Sequence, residues 1–286
     1  MKSVRIIGVP EHFNLPWHLA IEEGAFTERG IDLQWRDIPE GTGKMCKLLE
    51  THKTDLAIIL TEGIVKSITE GNPSKIIQEY ITTPLLWGIH VAAKSSFGSI
   101  KDLENTSAAI SRFGSGSHLM AFVNAKNKDW NPNKLRFKVI DNLQGAVDGL
   151  TNGEADYFMW EHFTTKPLVD KGIFRRLGDC PTPWPCFMLV GTNEFIQANP
   201  STITHICEII NLYASEFKNI PSIDRTLANR YEQKLEDIQE WMSLTRWGQS
   251  QLPIKTLTEV QDTLISLQLI EDKLAPSKFL VQKHRD

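Results

Sequence analysis

The sequence predicts an α/β protein made of two domains, and three observations carry that reading. Short β-branched runs alternate with amphipathic helical stretches, as they do where strands are joined by helical crossovers. The alternation restarts after the loop KSSFGSIKDLENT (94–106), so two similar units stand in series. Beyond residue 193 the chain becomes a largely helical tail.

VRIIGV (4–9) reads as a buried strand, and LPWHLAIEEGAF (15–26) follows with apolar residues at helical spacing and a stop at Gly24. IDLQWRDI (31–38) alternates as a strand, EGTG (40–43) turns, and KMCKLLETHK makes a second helix. DLAIIL (55–60) is a third strand that leads into the helix TEGIVKSITEG, and KIIQEYI (75–81) and WGIHVAA (87–93) are two more strands. In the second unit SAAIS (107–111) precedes the turn SRFGSGSH and a helix starting near Leu119. LRFKVI, the helix NLQGAVDGLTNGE, the strand ADYFMW and a helix after Trp160 complete that unit. PTPWP (181–185) is stiff and turn-rich, CFMLVGTN (186–193) resumes as a strand, and the tail carries amphipathic stretches near 200–218, 222–232, 235–247 and 256–269.

With 286 residues and 32.5 kDa, the chain is long enough to bury two cores and enclose a ligand. A hydrophobic share of 41% and a charged share of 23% are those of an ordinary globular protein. A net charge of -4 argues against a duplex-binding surface, which depends on clustered Lys and Arg, so no nucleic-acid partner is expected. No stretch approaches a membrane span, so no membrane insertion is expected. The opening MKSVRIIGVPEHF lacks the apolar region of a secretory signal. Cys46, Cys180, Cys186 and Cys207 form no CxxC pair and have no histidine at zinc-finger spacing. A reduced, cytoplasmic setting with no metal and no cofactor is therefore expected.

Open α/β sheets bind ligands beyond the carboxyl ends of their strands, so the loops at those ends are the candidate site. In the first unit they hold Glu11, His12, Phe13 and Asn14, with Trp17 just beyond, then Glu40, Gly41, Thr42 and Gly43, then Thr61 and Glu62. In the second unit they are Arg112 to His118, Asp141-Asn142 and Trp160, Glu161 and His162. Within the Arg112 turn, Gly114 and Gly116 allow close backbone approach, while Ser115 and Ser117 offer hydroxyls and can cap the next helix. Amides at a helix start favour an anion, and Arg112 would add a charge with bidentate reach; the same turn also reads as a well-capped loop with a surface arginine.

Glu11, Glu40, Glu62 and Glu161 all follow strands. Several of them facing one site would call for hydrogen-bond donors on the ligand, although each alone also reads as a solvated residue at a helix start. Phe13, Trp17, Trp87, Phe113, Trp160 and Trp184 lie in or near these loops, and two or three of them are expected to sandwich a flat ligand. Trp35, Trp130, Trp241 and Trp247 read as structural or surface residues.

The order and spacing of LPWHLAIEEGAFTERGIDLQWRDIPEGTGKMCKLL, TDLAIILTEGIVKSITEG, ISRFGSGSHLMAF and LTNGEADYFMWE resemble the type II periplasmic binding protein family. Within it, the chain is most similar to the branch that includes transporter proteins for alkanesulfonates and thiamine pyrimidine precursors. The resemblance covers most of the chain. It implies a two-lobed α/β fold with the ligand cleft between lobes, the lobes joined by two crossover strands near His90 to Lys94 and Cys186 to Val190. Lobe one would comprise residues 1–91 and 187–286, and lobe two residues 92–186.

The functional expectation is a small-molecule, solute-binding protein that closes two lobes over a polar heterocycle such as a thiamine pyrimidine precursor. A transporter or pathway partner is left open. The alternative is an enzyme on the same scaffold related to thiamine pyrimidine synthesis, in which Glu11-His12 and Glu161-His162 would supply acid and base groups. His12, His118 and His162 could also gather into a metal site, yet they sit in separate loops with no HExxH spacing. Fungal thiamine pyrimidine synthases, which resemble these binding proteins, use a lysine-bound pyridoxal phosphate, a histidine donor and a cysteine-rich iron motif. The sequence has no such cysteine cluster, so binding without catalysis is the favoured reading.

Overall fold

A computed structural model describes residues 1–282 of the chain. In chain order, β1 (Lys2–Gly8), α1 (Leu15–Glu22), α2 (Ala25–Glu28), β2 (Ile31–Asp37), α3 (Thr42–Glu50), β3 (Leu56–Leu60), α4 (Thr61–Thr69) and β4 (Ser74–Ile81) come first. Next are β5 (Leu86–Ala92), β6 (Ser107–Ile110), α5 (Gly116–Asn127), β7 (Arg136–Val139), α6 (Leu143–Thr151), β8 (Tyr157–Glu161), α7 (His162–Asp170) and β9 (Phe174–Pro181). The chain then forms β10 (Phe187–Thr192), α8 (Asn193–Ala198), α9 (Pro200–Glu216), α10 (Ile223–Arg230), α11 (Leu235–Leu244), α12 (Ile254–Ser266) and α13 (Pro276–Phe279). It divides into two compact units, Met1–Thr83 with Trp184–Asp286, and Pro84–Pro183.

The first unit holds a sheet of order β2-β1-β3-β10-β4. β1 pairs in parallel with β2 and β3, whereas β10 runs antiparallel between β3 and β4. β3, the apolar run LAIIL, is the middle strand and is buried along its whole length, as a strand covered on both faces must be. Gly24, at φ +78°, separates α1 from α2, and Gly41, at φ +76°, leads into α3. The end of the chain covers the β4 edge: Val281 donates its backbone N–H to Ile76 O at 3.2 Å, and Trp247 bridges to Ile81.

The second unit holds a sheet of order β7-β6-β8-β5-β9. β6 is parallel to β7 and β8, and β5 is antiparallel to β8 and β9. Its core includes Ala109, Ile140, Ala146, Leu150, Phe158 and Phe174. Asn142 caps α6 by accepting the Gly145 N–H at 3.0 Å. Gly145 lies so close to the preceding loop that a Cβ there would sit 1.8 Å from Ile140 O, which fixes where α6 begins.

Three features differ from the sequence expectation. The run WGIHVAA forms β5, which pairs with β8 and β9, so the chain changes unit at Thr83/Pro84 and Pro183/Trp184 rather than at 91/92 and 186/187. His90 lies within β5 and Val190 within β10. The passages fall at Pro84 and Pro183, whose ring nitrogens carry no N–H to donate to a sheet ladder. β9 and α8 lack a clear sequence signal: FRRLGDCP has no alternation of period two, and it is an edge strand paired only to β5.

Candidate functional site

In the second unit, β7, β6 and β8 run in parallel and each ends at a helix start, so the N-termini of α6, α5 and α7 share one sheet edge. β6 pairs in parallel with β8 at Ala109 and Phe158, Arg112 follows just after the end of β6, and Glu161 is the last residue of β8. The Arg112–His118 turn and Glu161 therefore both lie at the carboxyl ends of these parallel strands, although 49 residues separate Arg112 from Glu161 in sequence.

The turn is built by its own side chains. Gly114 takes φ +77°, and Ser115 caps α5 by accepting the His118 N–H at 3.3 Å. Ser117 Oγ accepts the Ser111 N–H at 3.0 Å and lies 3.0 Å from Ser115 Oγ, while His118 Nδ1 accepts the Gly114 N–H at 3.1 Å. The hydroxyls of Ser115 and Ser117 and the ring of His118, expected to face a ligand, therefore shape the loop: all three residues are buried. His118 also packs against Phe122 and Phe137, its ring centroid 4.6 Å from that of Phe137. Gly116 is half-buried at the start of α5, Arg112 is half-buried, and Phe113 stands 66% exposed at the tip.

Glu161 ends β8 and caps α7, its Oε2 accepting the Thr164 N–H at 2.6 Å. Burial raises its pKa, opposed by the Thr164 hydrogen bonds. Trp160 is half-buried and stacks on Phe158 at 5.3 Å. Next to Glu161, His162 Nδ1 lies 2.8 Å from Asp179 Oδ1 and its Nε2 accepts from Arg176. The sequence reading missed Asp179 and Arg176, because β9 carries them beside α7 only through its pairing with β5.

In the first unit β1 runs parallel to both β2 and β3, and Ile38, just after β2, donates its N–H to Gly8 O at the end of β1 at 2.8 Å. The exits of β1, β2 and β3 therefore share one edge. α3 and α4 start there in contact, since a Cβ on Gly63 would lie 2.1 Å from Thr42 Cγ2. Glu62, 1% exposed, is in the first turn of α4, and its Oε2 accepts the Trp184 indole N–H at 2.8 Å. Burial pushes the Glu62 carboxyl up to about 7, against the opposing pull of that indole hydrogen bond. Glu62 Oε1 is buried and has no hydrogen-bond partner.

Several first-unit residues expected at the site belong to the core instead. Trp17 is fully buried and packs against Phe26, Trp35 and Tyr80. Asn14 donates to Val9 O at 2.8 Å, and the Thr61 hydroxyl donates to Pro185 O. His12 sits 4.2 Å from Trp241 and near Tyr231 and Phe13, and burial lowers its pKa to about 3. Phe13 packs on Phe187 and Trp241. These side chains follow apolar strands so closely that packing claims them. Thr42 is buried, Gly41 and Gly43 are half-buried and Glu11 is 9% exposed at the shared edge, while Glu40 is exposed.

Among the described residues no group of three His, Cys, Asp or Glu side chains is arranged to hold a metal ion, and no helix is long and apolar enough to cross a membrane. Two surface depressions of the first unit, about 450 Å³ beside Lys218, Gln239 and Met242 and about 420 Å³ beside Glu70 and Ile270, contain no expected site residue.

The arrangement in each unit, parallel strands feeding helix starts with an antiparallel strand inserted beside them, can be set against known proteins. The structure matches that of the Candida albicans CA3427 gene product, described as having the generic periplasmic binding protein structural fold. The TM-score is 0.89 at 23% identity, over 100% of this chain and 99% of that one. The chain has the type II periplasmic binding protein fold. Other solved structures with this periplasmic binding protein fold include the alkanesulfonate-binding protein SsuA from Xanthomonas axonopodis pv. citri bound to MOPS. That match has a TM-score of 0.81 at 14% identity, covering 95% of each chain. The periplasmic aliphatic sulphonate binding protein SsuA from Escherichia coli matches at a TM-score of 0.74 and 14% identity, covering 100% of this chain and 94% of that one. A family model for Ca3427-like PBP matches residues 87–180, nearly the whole second unit of this binding-protein fold. No curated protein matches by sequence.

Proposed function

We propose that this chain is a solute-binding protein whose two units close over a polar heterocycle, such as a thiamine pyrimidine precursor with or without a phosphate. The carrying observation is that each unit, taken by itself, gathers helix starts and a buried carboxyl at the carboxyl ends of its parallel strands. Helix starts suit an acceptor or anionic group, and the Arg112 turn adds positive charge. Glu62 suits the polar edge of a ring, and Trp160 and Phe113 offer aromatic surface. A sulfonate solute is a second reading, supported by the sulfonate-binding proteins of the same fold and by the Arg112 turn, though it leaves Glu62 without a role. We also propose a cytosolic setting, on the sparse cysteine usage.

A thermal-shift screen tests the ligand class. A solute at 100 times its dissociation constant adds about 2.7 kcal/mol to the stability of the folded state. Aminopyrimidines are expected to raise the melting temperature. A shift with taurine-like sulfonates and none with aminopyrimidines would replace the heterocycle reading with the sulfonate one. Mass spectrometry of small molecules released from the native protein identifies the solute directly.

A further inference from the structure

The two oxygens of the Glu62 carboxyl have unequal surroundings. Oε2 accepts the Trp184 indole N–H at 2.8 Å, whereas Oε1, equally buried, has no hydrogen-bond partner. An ionised carboxylate here would place charge on a buried oxygen that no protein donor reaches, a costly way to bury it. A neutral acid divides the two atoms: the oxygen that receives the indole N–H is the carbonyl, and the other carries a proton.

We propose that Glu62 meets its solute as a neutral carboxylic acid, Oε1–H donating to an unprotonated ring nitrogen, so that the proton is itself part of the binding site. The inference rests on the solute-binding reading above and names the atom the solute must present to this carboxyl.

The surroundings agree. α3, α12 and α13 pack on α4. α3 carries Lys44, Cys46, Lys47 and Glu50, α12 carries Lys255, Glu259 and Asp262, α13 carries Lys278, and α4 itself adds Lys66, with Glu70 just past its end. Lys66 pairs with Glu70, Lys47 with Glu50 and Lys255 with Glu259. None of these groups is among the influences on the Glu62 proton, which is held by burial against the Trp184 N–H and the Glu62 backbone N–H.

Two measurements on the full chain separate this inference from the function it rests on. The first follows tryptophan fluorescence of the ligand-free protein through a pH titration, with Trp184 as the reporter. A transition near pH 7 is expected in the wild type and should be missing in both Glu62→Gln and Trp184→Phe. A titration with no Glu62-dependent transition in that range overturns the inference whatever the protein binds.

The second measures affinity for 4-aminopyrimidine by calorimetry. Wild-type affinity should fall about tenfold per pH unit above about pH 7, as one required proton dictates. Glu62→Gln, whose amide keeps a donor and an acceptor, should bind as the wild type does at low pH and show no such dependence. Affinity that rises with pH, or is lost in Glu62→Gln, overturns the inference. Absence of 4-aminopyrimidine binding alongside an intact fluorescence transition counts against the heterocycle reading and supports the protonated acid.

Discussion

Trp184 donates its indole N–H to Glu62 Oε2 across 2.8 Å, although 122 residues separate the two in sequence. The bond joins the exit of β3 to the segment that leads into β10, the antiparallel strand beside it. The folded protein holds the Glu62 proton more tightly than an unfolded chain, in which glutamate titrates near 4.5. This carboxyl therefore favours folding below that pH, and its contribution is lost as pH rises through about 7. Glu62→Gln should be more stable than the wild type near pH 8, by on the order of 3 kcal/mol at most, and nearly equal to it near pH 4. Urea denaturation at the two pH values checks this, and a variant that matches the wild type at both would show that Glu62 is ionised without cost.

Arg112 follows the carboxyl end of β6 and is half-buried at the start of a turn whose serines and histidine bond to one another and to the turn backbone. Its replacement by alanine should weaken solute binding by roughly 1.5–3 kcal/mol, the scale of a charge-assisted hydrogen bond, with little effect on the melting temperature of the unliganded protein. Calorimetry with the solute identified from the native protein measures the first quantity. Unchanged affinity would reassign Arg112 to the surface of the loop.

Trp17 gives the opposite pattern. It is fully buried among Phe26, Trp35 and Tyr80, so Trp17→Ala should cost about 3–5 kcal/mol of stability through the lost packing and the cavity left behind. Solute affinity of the fraction that remains folded should be unchanged. A stable Trp17→Ala variant with impaired binding would return Trp17 to the binding surface.

The contrast between Trp17 and Trp184 shows how far the candidate site is legible in the sequence. Both are tryptophans close to strand ends, and nothing within a few residues of either distinguishes them. Trp17 lies on α1 and turns into the core beneath, while Trp184 follows the second passage between the units and reaches a carboxyl on α4. Glu40 and Glu62 differ in the same way: each follows a strand, yet the first is exposed and the second is 1% exposed.

The sequence by itself determined the α/β class, the repetition of the unit and the local form of the turn at residues 111–118. Hydrophobic periodicity, a glycine at φ +77° and a serine cap act between residues only a few positions apart. Tertiary structure alone decided that β5 belongs to the second sheet, that the polar run at 174–181 becomes the edge strand β9, and that Glu62 meets Trp184. A strand's partner and a side chain's burial depend on groups supplied from elsewhere in the chain, whose positions the local sequence does not carry.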